Sequence, residues 1–171
     1  MDILYTCPDF VAAVKPVGLS SEDGPCSFPQ ALRDTLGGDI YPIHRLDLNV
    51  GGVMVYARTK FAAAQLSRVV QEGTMVKEYV ALVHGVPPQS GDWTDLLWKD
   101  SKKNKVFVVK SLRKGVKEAR LFYRVLAYNE EKDCSLLSVT LQTGRSHQIR
   151  VQFSHRKHPL SHSSMTQLIL H

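Results

Sequence analysis

Acid is what this chain runs out of: from Cys134 to His171 there is no aspartate or glutamate. Cysteine is scarce and odd in number. Cys7, Cys26 and Cys134 lie far apart, which excludes a CxxC metal pair and a disulfide framework and leaves reduced thiols as the expectation. No apolar run approaches the roughly 18 residues needed to cross a bilayer. The start Met1-Asp2-Ile3-Leu4 lacks the basic head and long apolar stretch of a signal peptide. A cytoplasmic protein with no membrane contact is therefore expected. His155, His158 and His162 have a spacing that a metal could use, but no cysteine or acid accompanies them, and no metal site is expected.

What is present fits one globular domain spanning residues 1–171. Hydrophobic residues make up 43% and charged residues 22%, and there is no repeat or low-complexity linker. The net charge is +6, and its location matters more than its size. Lys99 to Arg124 holds ten Lys/Arg against two acids, and the acid-free C-terminal part is a second basic region. Clusters of this kind suit a polyanion, because each neutralised phosphate releases counterions. The alternative reading is a solvated basic loop.

Strands dominate the pattern. Phe10 to Val14 reads as a short buried strand ended by Lys15-Pro16. A Ser/Gly/Pro-rich loop follows, with a helical turn around Gln30 to Leu36. Val53 to Ala57 is a strand after Gly51-Gly52. Lys60 to Glu72 is the clearest helix, with Phe61, Ala64, Leu66, Val69 and Val70 on its apolar side and Gly73 as its stop. Thr74 to His84 alternates as a long strand, with Tyr79, Ala81 and Val83 on one face, and a turn spans Gly85 to Gly91. Further strands are expected at Lys105 to Lys110, Glu118 to Tyr128 and Cys134 to Thr143, the last two forming a hairpin. A second helix is expected from Ser146 to His155. The class is α+β: a mainly antiparallel, mixed sheet flanked by helices.

Two segments carry chemistry. Tyr41-Pro42-Ile43-His44-Arg45-Leu46-Asp47 puts an aromatic, a base, a cation and a carboxylate in one loop, although an isolated Asp is more often a turn or capping residue. Leu141-Gln142-Thr143-Gly144-Arg145-Ser146-His147-Gln148-Ile149-Arg150 is a strand end, a glycine turn and a helix start with two arginines and no acid. Such an arrangement faces anions, or is simply a basic helix face in water.

"KPVGL" at 15–19, "HRLD" at 44–47, "VKEYVALVHG" at 76–85 and "LQTGRSHQIRVQF" at 141–153 occur in the order seen in RluA-type pseudouridine synthases, and the chain resembles that family over about residues 10–160. The resemblance implies an enzyme that isomerises uridine to pseudouridine in rRNA or tRNA, as a monomer and without a cofactor. Asp47 matches the catalytic aspartate, and Arg45 the residue that displaces the target base. Tyr79 matches the tyrosine packed on the flipped uracil, and Arg145 the arginine that pairs with the aspartate. His44, Lys102, Lys103, Lys105 and Arg150 are the further RNA contacts expected. The chain departs from the family in two places. Val50-Gly51-Gly52 stands where Thr-Ser-Gly is usual, and from Ser161 onward the tail matches nothing in the family pattern, so the C-terminal part reads as truncated or altered. No additional N-terminal RNA-binding domain is expected. The runner-up is a catalytically impaired RNA-binding remnant. An Asp-dependent glycosidase would need a second acid, which the loop after Asp47 does not supply.

Overall fold

A computed structural model describes the backbone of residues 1–168. It divides into two compact units, one made of residues 1–75 with the end of the last strand, the other of residues 76–165.

In the first unit, β1 (Asp2–Thr6) pairs antiparallel with β2 (Phe10–Lys15), and β2 with β4 (Gly51–Ala57). The two-residue β3 (Tyr41–Pro42) also pairs with β4. Alternation decides which side of β2 is inside: Val11, Ala13 and Lys15 are buried, and the residues between them are half-buried. Helix α1 (Phe28–Leu36) starts at Ser27, whose hydroxyl accepts the Gln30 N–H, with Pro29 inside the first turn. Phe28 and Leu32 on this helix, Ile40, and Met54 and Tyr56 of β4 are almost completely buried and form the core here.

Helix α2 (Lys60–Gln71) begins at Thr59, whose side chain accepts the Ala62 N–H, and Gly73 follows it at φ 73°. The expected apolar side is corrected. Phe61 is 74% exposed and Val69 37%, whereas Ala62 is buried and Ala63, Leu66 and Val70 are half-buried. The helix therefore packs on its small residues and leaves its aromatic outside.

The second unit is an antiparallel sheet in the order β5-β9-β8-β6-β7. Its strands are β5 (Lys77–His84), β6 (Ser90–Asp100), β7 (Lys105–Val109), β8 (Val116–Asn129) and β9 (Cys134–Leu141). Helix α3 (Gln148–His155) packs on one face, placing Phe153 against Trp93 and Tyr123. The core here is Tyr79, Ala81 and Val83 of β5, Ala119, Leu121 and Tyr123 of β8, Leu137 and Val139 of β9, and Ile149 and Phe153 of α3. Strand β6 extends through a stretch that the sequence pattern did not mark, and so does β1.

The tail holds a further unmarked element, β10 (Leu160–Leu168), whose Thr166 and Gln167 run parallel to Gly51 and Gly52 of β4. The segment outside the family pattern thus forms sheet structure directly beside the glycines that follow Asp47. Among the described residues, no helix is long and apolar enough to cross a membrane, and no group of three or more His, Cys, Asp or Glu gathers at one point. The side chain of His162 lies outside the described residues.

Candidate active site

In the first unit, the loop between β3 and β4 carries His44, Arg45 and Asp47. Leu46 and Val50 are buried and anchor the loop on either side of the aspartate. Ser21, itself buried, bonds the Leu46 backbone twice: its hydroxyl donates to the Leu46 carbonyl at 2.8 Å and accepts the Leu46 N–H at 3.0 Å. The Val50 N–H closes a turn onto the Asp47 carbonyl at 3.0 Å, and the Gly18 N–H holds the Leu48 carbonyl at 2.8 Å. Nε2 of His44 accepts the Val55 N–H at 3.2 Å. A loop tied at this many points has a fixed backbone on both sides of the half-buried Asp47. Arg45 points into solvent, with only a loose 3.7 Å approach to Glu22.

Lys15 is the component that the sequence reading left outside the site. It is fully buried, and its ammonium donates to the carbonyls of Pro16 and Leu19 at 2.8 Å each. Burial lowers its pKa, and the negative charge of Asp47 works in the opposite direction. A buried cation thus sits in the field of the carboxylate and ties down the strand exit after β2. Gly51 serves the same approach: a Cβ there would meet the Lys15 carbonyl and Val17 Cγ2 at 3.4 Å. The signal in the sequence was a lysine in a buried position of an apolar strand, just before a proline.

In the second unit, Tyr79 stands in the middle of β5 with 7% of its surface exposed, paired across the sheet with Val139. Arg145 lies on the turn between β9 and α3. The buried Gln148 amide builds this turn: its Oε1 accepts the Thr143 hydroxyl at 2.8 Å and the Arg145 N–H at 3.0 Å, while its Nε2 donates to the Arg120 carbonyl at 3.1 Å. His147 enters the helix in the left-handed region, at φ 52°. Arg145 Nε donates to the Glu118 carbonyl at 2.7 Å, which fixes the plane of the guanidinium. Gln148 is therefore a positioning residue for Arg145, and its only trace in the sequence was its place three residues after the arginine. Lys77 adds positive charge to the same turn. Its ammonium lies 3.5 Å from where a Gly144 Cβ would stand, and burial lowers its pKa.

The remaining expected RNA contacts are exposed. Lys102 and Lys103 sit at the tip of the β6–β7 hairpin, where both their N–H groups bond the Asp100 carboxylate. Lys105 opens β7, and the exposed Arg150 lies on α3 at the cavity shared with β7.

Comparison with known proteins places this geometry. Residues 9–155 match the family model described as RNA pseudouridylate synthase. A tRNA pseudouridine synthase C of Haemophilus ducreyi is 30% identical over 94% of this chain and 71% of its own length. A ribosomal large subunit pseudouridine synthase C of Buchnera aphidicola is 34% identical over 69% of this chain and 37% of its own. Among solved structures, human RNA pseudouridylate synthase domain containing 4 superposes with a TM-score of 0.77 at 26% identity, covering 93% of this chain and 66% of that one. The chain thus spans about 70% or less of the length of these relatives. Matched over most of its residues and carrying the four motifs in order, the chain belongs to the RNA pseudouridylate synthase family, a family of isomerases.

Proposed function

We propose that this chain acts as one pseudouridine synthase domain over residues 1–171, converting uridine to pseudouridine in structured tRNA or rRNA. It works in the cytoplasm, as a monomer, with no metal or cofactor. The observation that carries the reading is the braced Asp47 loop with a buried ammonium in its field. The reaction breaks the bond between N1 and C1′, rotates the uracil and joins C5 to C1′; the hydrogen at C5 leaves as a proton and N1 takes up a proton from solvent. Asp47 is the ionised carboxylate that acts on the ribose, as nucleophile at C1′ or in proton removal on the way to an eliminated-sugar intermediate.

Arg45, exposed beside it, takes the place of the extracted base in the stack, and Tyr79 gives that base an aromatic surface. Arg145, its guanidinium held by the Glu118 carbonyl and its backbone by Gln148, is the cation that keeps the carboxylate ionised. His44, Lys102, Lys103, Lys105 and Arg150 contact the RNA. The parallel pairing of β10 with Gly51 and Gly52 supports an enzyme over an impaired remnant, because the strand leaving the Asp47 loop has a partner there.

The test is tritium release from RNA labelled at uridine C5, since isomerisation frees that hydrogen and hydrolysis of the glycosidic bond does not. Asp47→Asn is expected to abolish release while RNA binding persists. Arg145→Lys should also fail, because an ammonium cannot reproduce the planar fork, and Tyr79→Phe should be the mildest of the three. Wild-type activity that survives Asp47→Asn would refute the assignment.

A further inference from the structure

Helix α3 presents two faces. Gln148, Ile149, Gln152 and Phe153 are buried against the sheet. His147, Arg150, Val151, Ser154 and His155 follow one another at helical spacings of three and four, so they share a second face, and that face borders a groove along β7. β7 ends the sheet order, and among the described residues no strand lies beyond it. The groove holds about 500 Å³, within the range of about 300 to 1,000 Å³ found for small-ligand sites.

Strand alternation fixes what β7 offers to it. Val106 and Val108 lie on the face shared with their partners Lys99 and Leu97, and with Val151 of α3 they make an aliphatic floor. Lys105 and Phe107 alternate to the opposite face, where Phe107 stacks on Trp98, and they border the groove from the sheet edge. The helix supplies an imidazole at each end of its face, His147 and His155, with the Arg150 guanidinium and the Ser154 hydroxyl between them. Asn104 adds an amide from the hairpin end, and no carboxylate lines the groove.

Phosphate has no use for an aliphatic floor. A flat heterocycle does, because unpaired bases are held between apolar surfaces and the planes of imidazole or guanidinium groups, while amides and hydroxyls pair with their edges. A base inside a duplex hides its faces in the stack, so the occupant must be unpaired. Resting on the reading above, we infer that the groove between β7 and α3 takes one unpaired nucleobase of the substrate RNA other than the uridine that is isomerised. Val106, Val151, Ser154 and His155 are then specificity-determining residues. The groove starts at His147, two residues from Arg145, so the base it takes is a near neighbour of the target.

The experiment is a protein–RNA double-mutant cycle read by fluorescence anisotropy. The probes are labelled stem–loops with one uridine in the loop, either intact or carrying a single abasic nucleotide at each loop position in turn. The proteins are the wild-type chain, Ser154→Leu, which crowds the groove from an exposed helix position, and His155→Ala, which removes a wall. At one position the abasic nucleotide should weaken wild-type binding on the order of tenfold, the worth of a stacked base. Ser154→Leu should lose a similar factor on intact RNA and nothing further on that abasic RNA. The dependence of affinity on salt should stay that of wild type, because no phosphate contact is removed. If Ser154→Leu folds poorly by circular dichroism, His155→Ala should show the same pattern with a loss of about threefold.

Effects of variant and abasic nucleotide that simply multiply at every position would overturn the inference. So would a loss that appears as a shallower salt dependence, which would assign the groove to phosphates, or the absence of RNA binding by the wild-type chain at low salt. A chain that shows the coupling but releases no tritium keeps the groove and removes the catalytic reading. Full tritium release with multiplying effects does the reverse.

Discussion

Replacing Asp95 with asparagine should destabilise the second unit by an amount that depends on pH. Asp95 on β6 receives two bonds from the Arg156 guanidinium, at 2.8 and 3.2 Å, and one from Gln152 Nε2 at 2.7 Å. The side chains of the ion pair are 10% and 28% exposed, respectively. Burial by itself would raise the Asp95 pKa, but the hydrogen bonds from Arg156 and Gln152 and the positive charge of Arg156 outweigh it and hold the carboxyl below the usual carboxylate range. Exposed pairs contribute about 0 to 1 kcal/mol, and breaking a buried one costs about 3 to 5. An intermediate pair with two-pronged geometry should lie near 2 to 3 kcal/mol, interpolating between those ranges.

For a chain of this size that corresponds to a fall in Tm of about 4 to 12 °C at neutral pH. The sign with pH follows from proton binding. The folded form holds the Asp95 proton more weakly than the unfolded form, so the contribution is present above the ordinary carboxylate pKa and is lost as pH falls through the folded value. Thermal melts by circular dichroism at pH 7, 4 and 2 should show a gap between wild type and Asp95→Asn that holds down to about pH 4 and closes below it. A gap that is independent of pH, or smaller than about 0.5 kcal/mol at pH 7, would refute this account of the pair.

Two further substitutions test the packing that holds the site. Lys15→Met should leave the Pro16 and Leu19 carbonyls without their donor, at about 1 to 3 kcal/mol, and should reduce tritium release more than RNA affinity because the Asp47 loop loosens; equal loss of both would argue against the role. Gly91→Ala puts a Cβ 2.5 Å from the Tyr123 ring and 2.8 Å from Trp93 Nε1. Overpacking there should cost about 1 to 3 kcal/mol in a urea titration, and no loss of stability would mean that the rings yield freely.

The sequence carried the elements with clean periodicity and missed those whose partners are far along the chain. Helix α2 was placed within a residue, but its apolar residues fall on two overlapping stripes. Packing selected the one with Ala62, Ala63, Leu66 and Val70, because small side chains let the helix lie close, and Phe61 was left outside. Strand β6 was hidden because Asp92 and Asp95 interrupt its alternation. Asp92 is paired with Arg120 and Asp95 with Arg156, and neither partner is local. Strand β1 is exposed at nearly every position and so leaves no pattern. In the site, local sequence made Asp47 no more than a turn residue, and four motifs in order were needed to single it out. Ser21 and Gln148 act through backbone atoms of residues 25 and 28 positions away, Leu46 and Arg120, and Lys15 through carbonyls of the loop that follows it. No spacing rule reports such contacts.

Both tryptophans of the chain, Trp93 and Trp98, lie on β6. Trp93 is sandwiched among Tyr123, Phe153 and the Arg156 guanidinium, with ring centroids 4.5 and 4.6 Å away and the cation at 4.2 Å. Intrinsic emission excited at the indole band is therefore a reporter of the second unit alone. It should register loss of the Asp95–Arg156 pair directly, through the cation held over the indole. The unit that carries Asp47 has no indole, and opening there would pass unseen in such a spectrum. An added tryptophan at the exposed Phe61 position, or a thiol-reactive dye on exposed Cys26, would give that half its own optical signal while buried Cys134 stays unlabelled.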